Sequence, residues 1–155
     1  MRTQREELER TLATAPFAEI CGFLLVSIED DSCTLRIPFR PVLERPGGII
    51  AGPVFMAAAD VSMWLAIKAR YGDESSLTSS MVTHFVSKAC GSDVLCRAKI
   101  VRAGRRLIFG VAECSSDGGA LLSHHTITYM RTESSRPQSL TQVGAFAQFY
   151  CAIVG

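Results

Sequence analysis

Asp60 is the only charged side chain in a long apolar stretch of the sequence. Between Pro53 and Ile67 the only other polar side chain is Ser62. A carboxylate buried without partners costs several kcal/mol, so Asp60 is either bonded to backbone, Ser or Thr groups or turned toward a cleft. In a cleft, a carboxylate can attack a carbonyl carbon or take a proton from water. Both interpretations, structural and catalytic, stay open on these residues alone.

The residues around Asp60 predict one long helix that begins at Pro53 and ends at Gly72. Proline suits the first helical turn because the N–H it lacks would have no partner there. Gly52 is then the cap, at the positive end of the helix dipole. The helix is apolar around its whole circumference, so it must be covered on nearly every side.

Strand patterns lie on both sides of this helix. A helix is expected at 2–13, before Pro16, followed by an apolar run at 18–28, a turn at 29–31 and an alternating strand at 32–39, which together predict a hairpin. A Pro- and Gly-rich loop fills 40–52. Four strand-like runs separated by glycine turns follow the central helix, and their spacing predicts consecutive antiparallel hairpins at 78–89, 93–103, 106–116 and 120–131. Alternation is visible in Val94, Cys96, Ala98 and Ile100, and in Leu107, Phe109 and Val111.

This order of elements predicts an α+β fold in a single domain over 1–155. A six-stranded antiparallel sheet would wrap around the long central helix, with an extra N-terminal helix outside it. A second copy of the chain would cover the rest of the helix. Residues 132–142 are polar and predict a linker, whereas the tail at 143–155 is apolar and its sequence does not distinguish a strand from a helix.

Composition excludes several classes of protein. With 48% apolar and 20% charged residues and a net charge of +1, the chain has the composition of a globular protein and no basic field for nucleic acid. The N-terminus lacks the apolar core of a signal peptide, and the longest apolar segment, 49–67, contains Asp60 and predicts a buried helix and no membrane span. The six cysteines form no C-x-x-C pair, which predicts reduced thiols in a cytoplasmic protein without a metal site.

The layout and the motif at 45–60 resemble the hotdog-fold acyl-CoA thioesterases of the PaaI type, over about residues 16–131. In that family a strand-to-helix loop reads Asn, five residues, then His-Gly-Gly, and an Asp follows eight residues after the first of those glycines. Gly52 and Asp60 keep this spacing, and the family's Thr or Ser before an apolar strand corresponds to Thr78 in TSSMVTHFVSKA. VRAGRRLIFGVAECSSDGGALLSHHTITYM resembles the family's last two strands.

Three positions depart from the family pattern. Ala51 stands at the usual His, Pro53 replaces the second Gly, and Arg45 falls at the position of the usual Asn. The resemblance implies that the Gly52 N–H is the oxyanion donor, that Asp60 is the nucleophile or general base, and that Thr78 orients the water or the carboxylate. A backbone donor survives both Ala51 and Pro53, because neither substitution removes the N–H of Gly52.

Spacing and resemblance both imply a homodimer, and the association of two dimers is left open. Eight helical residues rise about 12 Å, so Gly52 and Asp60 of one chain do not reach one thioester. Antiparallel central helices in a two-fold dimer would pair Gly52 of one subunit with Asp60 of the other. No cofactor is expected, and coenzyme A enters only as part of the substrate.

Further residues are candidates for substrate binding, each beside a simpler structural role. Met56, Met63 and Trp64 pack the helix or line an acyl pocket, and His84 is a core or interface histidine or a substrate contact. Strand-end cations are solvated charges or contacts to coenzyme A phosphates. With the motif positions, the substrate-binding set is Arg45, Ala51, Pro53, Met56, Met63, Trp64, His84, Arg105 and Arg106; Lys88 is a further candidate for phosphate.

Three functions follow from the resemblance. The first is a thioesterase acting on medium-chain or aromatic acyl-CoA. The second is a non-catalytic hotdog module that binds acyl-CoA or serves only in assembly, and it is motivated by the absence of the His and Asn. The third, dehydratase chemistry, requires a His near the central helix, and 49–70 contains none.

Overall fold

The computed structural model describes residues 3–72 and 75–132. Their elements, in chain order, are α1 (Gln4–Ala13), α2 (Pro16–Cys21), β1 (Leu24–Glu29), β2 (Ser32–Ile37), β3 (Glu44–Arg45), β4 (Ile49–Ile50), α3 (Gly52–Tyr71), β5 (Ser76–Phe85), β6 (Val94–Ala103), β7 (Leu107–Ser116) and β8 (Leu121–Arg131). A short 3-10 turn, Pro41–Leu43, precedes the β3–β4 ribbon. The linker and tail predicted at 132–155 lie outside the described residues, except Thr132.

The N-terminal helix is present, and a second helix follows it. Thr3 and Glu6 form a capping box at the start of α1, each side chain accepting a hydrogen bond from the other residue's amide. Pro16 predicted only an end to the first helix, but it also occupies the first turn of α2, where proline is favoured. The strand predicted from residue 18 therefore begins only at Leu24.

The six long strands form one antiparallel sheet in the order β1-β2-β6-β7-β8-β5. The predicted hairpin between the first two runs after the central helix is wrong, because β5 pairs with β8 and not with β6. After α3 the chain enters the sheet at the edge opposite to β1, and just beyond β5 the amides of Val86 and Ser87 donate to the Leu122 carbonyl of β8. Placing β5 at this edge brings its inner face against α3.

The helix α3 packs in the curve of the sheet, one residue earlier at its start than predicted, with Ala51 as the cap. Nine of its residues are buried, including Ala58, Ala59 and Met63. One stripe at a spacing of four residues stays partly exposed: Met56, Asp60 and Trp64. Residues four apart share a helix face, so a single chain leaves one side of α3 uncovered.

Four of the five described cysteines are buried, and all five are free thiols; Cys90 is exposed, and Cys151 lies outside the described residues. Burial raises the pKa of Cys33 to about 12, so this thiol stays protonated and packs as a small apolar side chain. The prediction of reduced, mostly buried cysteines is confirmed for this part of the chain.

Gly110 in β7 permits the close approach of α3 to the sheet. A Cβ atom there would lie 2.1 Å from Met63 Cε and 2.7 Å from the Lys99 carbonyl oxygen. Gly110→Ala is therefore expected to lower the free energy of unfolding by about 3 kcal/mol, as overpacking of a filled core does. Chemical denaturation measures this loss. Gly118→Ala is the matched control, since its added methyl meets nothing nearer than 3.8 Å, and equal losses in the two variants would contradict the packing explanation.

Candidate active site

The Asp60 carboxylate is held where α3 meets the edge strand β5. Thr78 Oγ1 donates to Asp60 Oδ1 at 2.6 Å, and the Tyr129 hydroxyl donates to the same oxygen at 2.7 Å. The Tyr129 hydroxyl also lies 3.0 Å from the Asp60 carbonyl oxygen. No described residue donates a hydrogen bond to Oδ2. One carboxylate oxygen is thus anchored by two hydroxyls, on a residue that is partly exposed.

The sheet register brings the two anchoring hydroxyls together. Thr78 and Tyr129 are directly opposite each other on β5 and β8, so both project from the inner face toward α3. A β-bulge between Thr78 and Ser80 follows at once. Bulges turn side chains and often lie beside functional sites, and here the bulge changes the facing of β5 just after the residue that contacts Asp60.

Tyr129 is a site residue that the sequence interpretation missed. Its side chain is buried, and burial together with the negative charge of Asp60 raises its pKa well above the usual value. The hydroxyl therefore keeps its proton at neutral pH and acts as a donor to the carboxylate. A signal was available, because Tyr129 shares the inner face of its strand with Ile127, and a buried tyrosine hydroxyl ordinarily has a partner.

Gly52 lies in the first turn of α3, eight residues before Asp60. Ala51 is extended, with φ of −66° and ψ of 138°, and supplies no side-chain cap. The first amides of a helix have no intrahelical acceptor, and Pro53 has no N–H at all. Among the described residues none accepts from the Gly52 amide, so this N–H and the helix dipole are available to a developing negative charge.

A cavity of about 370 Å³ opens in front of Gly52. Phe55 and Phe85 form one wall, with ring centroids 6.4 Å apart, and a Cβ on Gly52 would lie 3.0 Å from the Phe85 ring. Arg45 and Lys88 also line this cavity, so the structure brings two sequence candidates together with Gly52. Asp60 does not line it, which agrees with the eight-residue separation along the helix.

The remaining candidates fall into three groups. Ala51 and Pro53 flank Gly52, and Met56 and Trp64 lie one turn of α3 before and after Asp60 on the uncovered stripe. Met63 is fully buried beneath Gly110, so it packs the core of the protomer. Met63 as a pocket residue is therefore not supported within one chain.

The structure places His84 and the turn that contains Arg105 and Arg106 on exposed surfaces. His84 is exposed opposite His124, so its interpretation as a core histidine is wrong. Arg105 and Arg106 are exposed in the β6–β7 turn, which adjoins the start of β5, whereas the Gly52 cavity adjoins its end. Within one protomer, Arg105 and Arg106 therefore do not line the Gly52 cavity.

His125 is a second polar residue that sequence reasoning did not select. It is fully buried, with Nδ1 2.9 Å from Thr83 Oγ1 and Nε2 2.8 Å from Ser123 Oγ. The Cys114 Sγ atom lies 3.9 Å from His125 Nε2. Hydrogen bonding with Cys96 and with His125 lowers the pKa of the Cys114 thiol. His124 points to the other face, as its position next to His125 on the strand predicts.

The described residues contain neither a candidate metal site nor a candidate membrane-spanning helix. No group of three or more His, Cys, Asp or Glu side chains that could hold a metal occurs within 3–72 and 75–132. None of the helices in this part of the chain is both long and apolar enough to cross a membrane.

Comparisons with known proteins bear on this site. The family model of the thioesterase superfamily matches residues 47–123, a span that contains Gly52, Asp60 and Thr78. A Thermoplasma acidophilum protein named "Putative esterase Ta0293" is 24% identical over 124 residues, covering 80% of this chain and 94% of that protein.

Two solved structures have the same fold. The thioesterase HI1161 of Haemophilus influenzae superposes with a TM-score of 0.80 at 16% identity, covering 89% of this chain and 96% of that one. The PaaI protein of E. coli superposes with a TM-score of 0.77 at 11% identity, covering 84% and 94%. At these identities the two structures establish the architecture, a sheet wrapped around a central helix.

Proposed function

Because this chain belongs to the thioesterase superfamily and has the hotdog fold, we propose that it hydrolyses acyl-CoA thioesters at a site built by two copies of the chain. The proposal rests mainly on the Asp60 carboxylate, which Thr78 and Tyr129 hold by one oxygen while the other accepts a hydrogen bond from no described residue. The substrate is a medium-chain or aromatic acyl-CoA, as in the PaaI-type enzymes that the motif resembles.

The chemistry assigns a role to each group. Asp60 Oδ2 either attacks the thioester carbonyl carbon directly or removes a proton from the water that attacks it. The carbonyl oxygen becomes an oxyanion and is stabilised by the Gly52 N–H at the positive end of α3. When the carbon–sulfur bond breaks, the coenzyme A thiolate leaves and takes up a proton. In the direct route one water molecule then hydrolyses the acyl-Asp60 anhydride, which releases the acid and restores the carboxylate.

The dimer supplies the geometry that one chain lacks. Gly52 and Asp60 are separated by about 12 Å along α3, whereas both must lie within about 3 Å of the reacting atoms. The partly exposed stripe of α3 and the edge strand β5, which carries exposed apolar side chains such as Leu77 and Val82, are both left uncovered by a single chain. An exposed apolar edge strand is a ready pairing surface, and two-fold symmetry would then form two equivalent sites.

The rival function is a non-catalytic module that binds acyl-CoA. Ala51 and Arg45 favour it, because they stand where the family's His and Asn would position water or substrate. One experiment separates the two functions: purified protein is mixed with a panel of acyl-CoAs and a thiol-reactive dye. Release of free coenzyme A supports the enzyme, whereas saturable binding by calorimetry without thiol release supports the module.

Tyr129→Phe tests the anchoring of the carboxylate. The change removes one donor to Asp60 Oδ1 and leaves the aromatic ring in the core. A hydrogen bond to a charged group contributes about 1.5–3 kcal/mol, so we expect kcat to fall by about tenfold to a hundredfold. Steady-state hydrolysis of the best panel substrate measures this change.

Tyr71→Phe is the matched control for that variant. Tyr71 uses its ring, which lies against the guanidinium of Arg131. It is the last residue of α3, about 16 Å along the helix from Asp60. We expect its kcat to be unchanged. Equal activity of the two variants would show that the Tyr129 hydroxyl does not support the reaction.

A further inference from the structure

The cavity in front of Gly52 carries a charge pattern that the reaction itself does not require. Its lining contains two cationic side chains, Arg45 and Lys88, and no carboxylate. Arg45 belongs to the short strand β3, and Lys88 lies in the connection after β5. Two segments that are distant in sequence thus place positive charge at the same opening.

Neither charge is neutralised by the protein around it. Arg45 makes one long hydrogen bond, from Nη1 to the Pro46 carbonyl at 3.4 Å. Among the described residues, neither Arg45 nor Lys88 forms an ion pair. The five donors of the Arg45 guanidinium are therefore nearly all free to meet an anion, and a guanidinium binds a carboxylate through two parallel hydrogen bonds.

The rest of the cavity is mostly apolar. Ile49, Ile50, Phe55, Phe85 and Val86 line it, beside Ser87 and the backbone of Gly52. Apolar walls with a few convergent polar groups are typical of small-molecule sites. The lining therefore fits a ligand with an apolar body and one negatively charged end.

We propose that the acyl group of the substrate carries an anionic substituent, a carboxylate or a phenolate, which binds Arg45 and Lys88. This inference rests on the proposed function, which places the thioester carbonyl at the Gly52 N–H. Arg45 lines the same cavity of about 370 Å³ as Gly52, so its partner anion lies close to the thioester. The phosphates of coenzyme A are separated from its sulfur by the whole pantetheine arm, and this favours the acyl group as the source of the anion.

The test compares matched thioesters that differ in one charge. Benzoyl-CoA and its carboxylate-substituted counterpart form an aromatic pair, and butyryl-CoA and succinyl-CoA form an aliphatic pair. We expect wild type to have a kcat/KM at least about tenfold higher for the charged member of one pair. Arg45→Gln should remove most of this preference, because it lowers kcat/KM for the charged member much more than for the neutral one.

Two further arms separate the possible sources of the anion. Pantetheine thioesters of the same acids lack the nucleotide and should keep the preference. A loss of kcat/KM in Arg45→Gln that is equal for charged and neutral acyl-CoAs, and absent with pantetheine thioesters, would assign Arg45 to the coenzyme A phosphates and overturn the proposal. Arg10→Gln, an exposed cation of α1, is the control for a general change of charge.

Binding measurements keep this inference separate from the proposed function. If no thioester is hydrolysed, the thioesterase proposal fails, and calorimetry then compares the dissociation constants of the same charged and neutral acyl-CoAs. Tighter binding of the charged member to wild type, lost in Arg45→Gln and weakened in Lys88→Gln, would still support an anion-binding pocket. Equal dissociation constants for both members would overturn it.

Discussion

Asp60→Asn is expected to lower kcat for thioester hydrolysis by about a thousandfold. The amide that replaces the carboxylate can neither accept a proton from water nor attack the carbonyl carbon, and general-base catalysis contributes about 10²–10⁴-fold. The variant has nearly the same shape, and its amide oxygen can still accept from Thr78 and Tyr129. The fold should therefore persist while the chemistry stops. Thiol release under saturating substrate measures the effect.

An exposed aspartate provides the control for this substitution. Asp117 pairs at 3.4 Å with Arg36 on the surface, where an ion pair contributes little, so Asp117→Asn should keep full activity. Thermal melting should show Asp60→Asn folded. A folded Asp60→Asn protein with more than a tenth of wild-type kcat would rule out the catalytic role of this carboxylate.

Gly52→Pro is expected to lower kcat by about 10²–10³-fold, the usual cost of losing one oxyanion donor. Proline removes the backbone N–H and is tolerated at the first helical position. Ala51 already has the extended backbone, with ψ of 138°, that a residue before proline prefers. The substitution should thus remove one hydrogen-bond donor and leave α3 in place, while its added carbon atoms crowd the Phe85 ring.

Gly52→Ala separates the donor from the space around it. Alanine keeps the N–H, but its Cβ lies 3.0 Å from the Phe85 ring, so the ring must shift as it would for proline. We expect the alanine variant to lose far less activity than the proline variant. Similar losses would show that crowding of Phe85, and not the missing N–H, causes the defect.

The two inactive variants together test whether the site is shared between subunits. In a mixed dimer of Gly52→Pro and Asp60→Asn chains, one site would contain both defects and the other would contain neither. Co-expression with two affinity tags and purification over both should yield a dimer with about half of wild-type activity. If each site used Gly52 and Asp60 of the same chain, the mixed dimer would be as inactive as its parents.

The sequence predicts the faces of strands better than their partners. A period of two assigns residues to a face, and it located the four long strands after the helix. The alternation carries no information on which strand pairs with β5, because the partner of β5 depends on where the chain re-enters the sheet after α3. In β7 both faces hold apolar residues, so the alternation of Leu107 and Phe109 did not reveal that Ile108 and Ala112 face the core.

The site residues that belong to the motif could be predicted from the sequence. The site residues that only packing brings together could not. Gly52, Asp60 and Thr78 came from the resemblance to the family motif, and the contact between Asp60 and Thr78 is present. Tyr129 was missed because it is distant in sequence and reaches Asp60 only through the register of β5 and β8. Only the core alternative for His84 was wrong, because its apolar neighbours Val82 and Val86 lie in an exposed edge region, where apolar side chains do not imply burial. Its alternatives as an interface histidine or a substrate contact stay predictions.

The positions of Arg45 and Lys88 bear on how such enzymes diverge. The carboxylate and its two hydroxyl partners belong to the packed helix and sheet, whereas the two cations are exposed, Arg45 on the short strand β3 and Lys88 in the connection after β5. Exposed segments outside the core accept mutation more readily than core elements do. Descendants of one ancestral gene could therefore change the preferred acyl group by mutation at these two positions, while the residues proposed for hydrolysis are inherited unchanged.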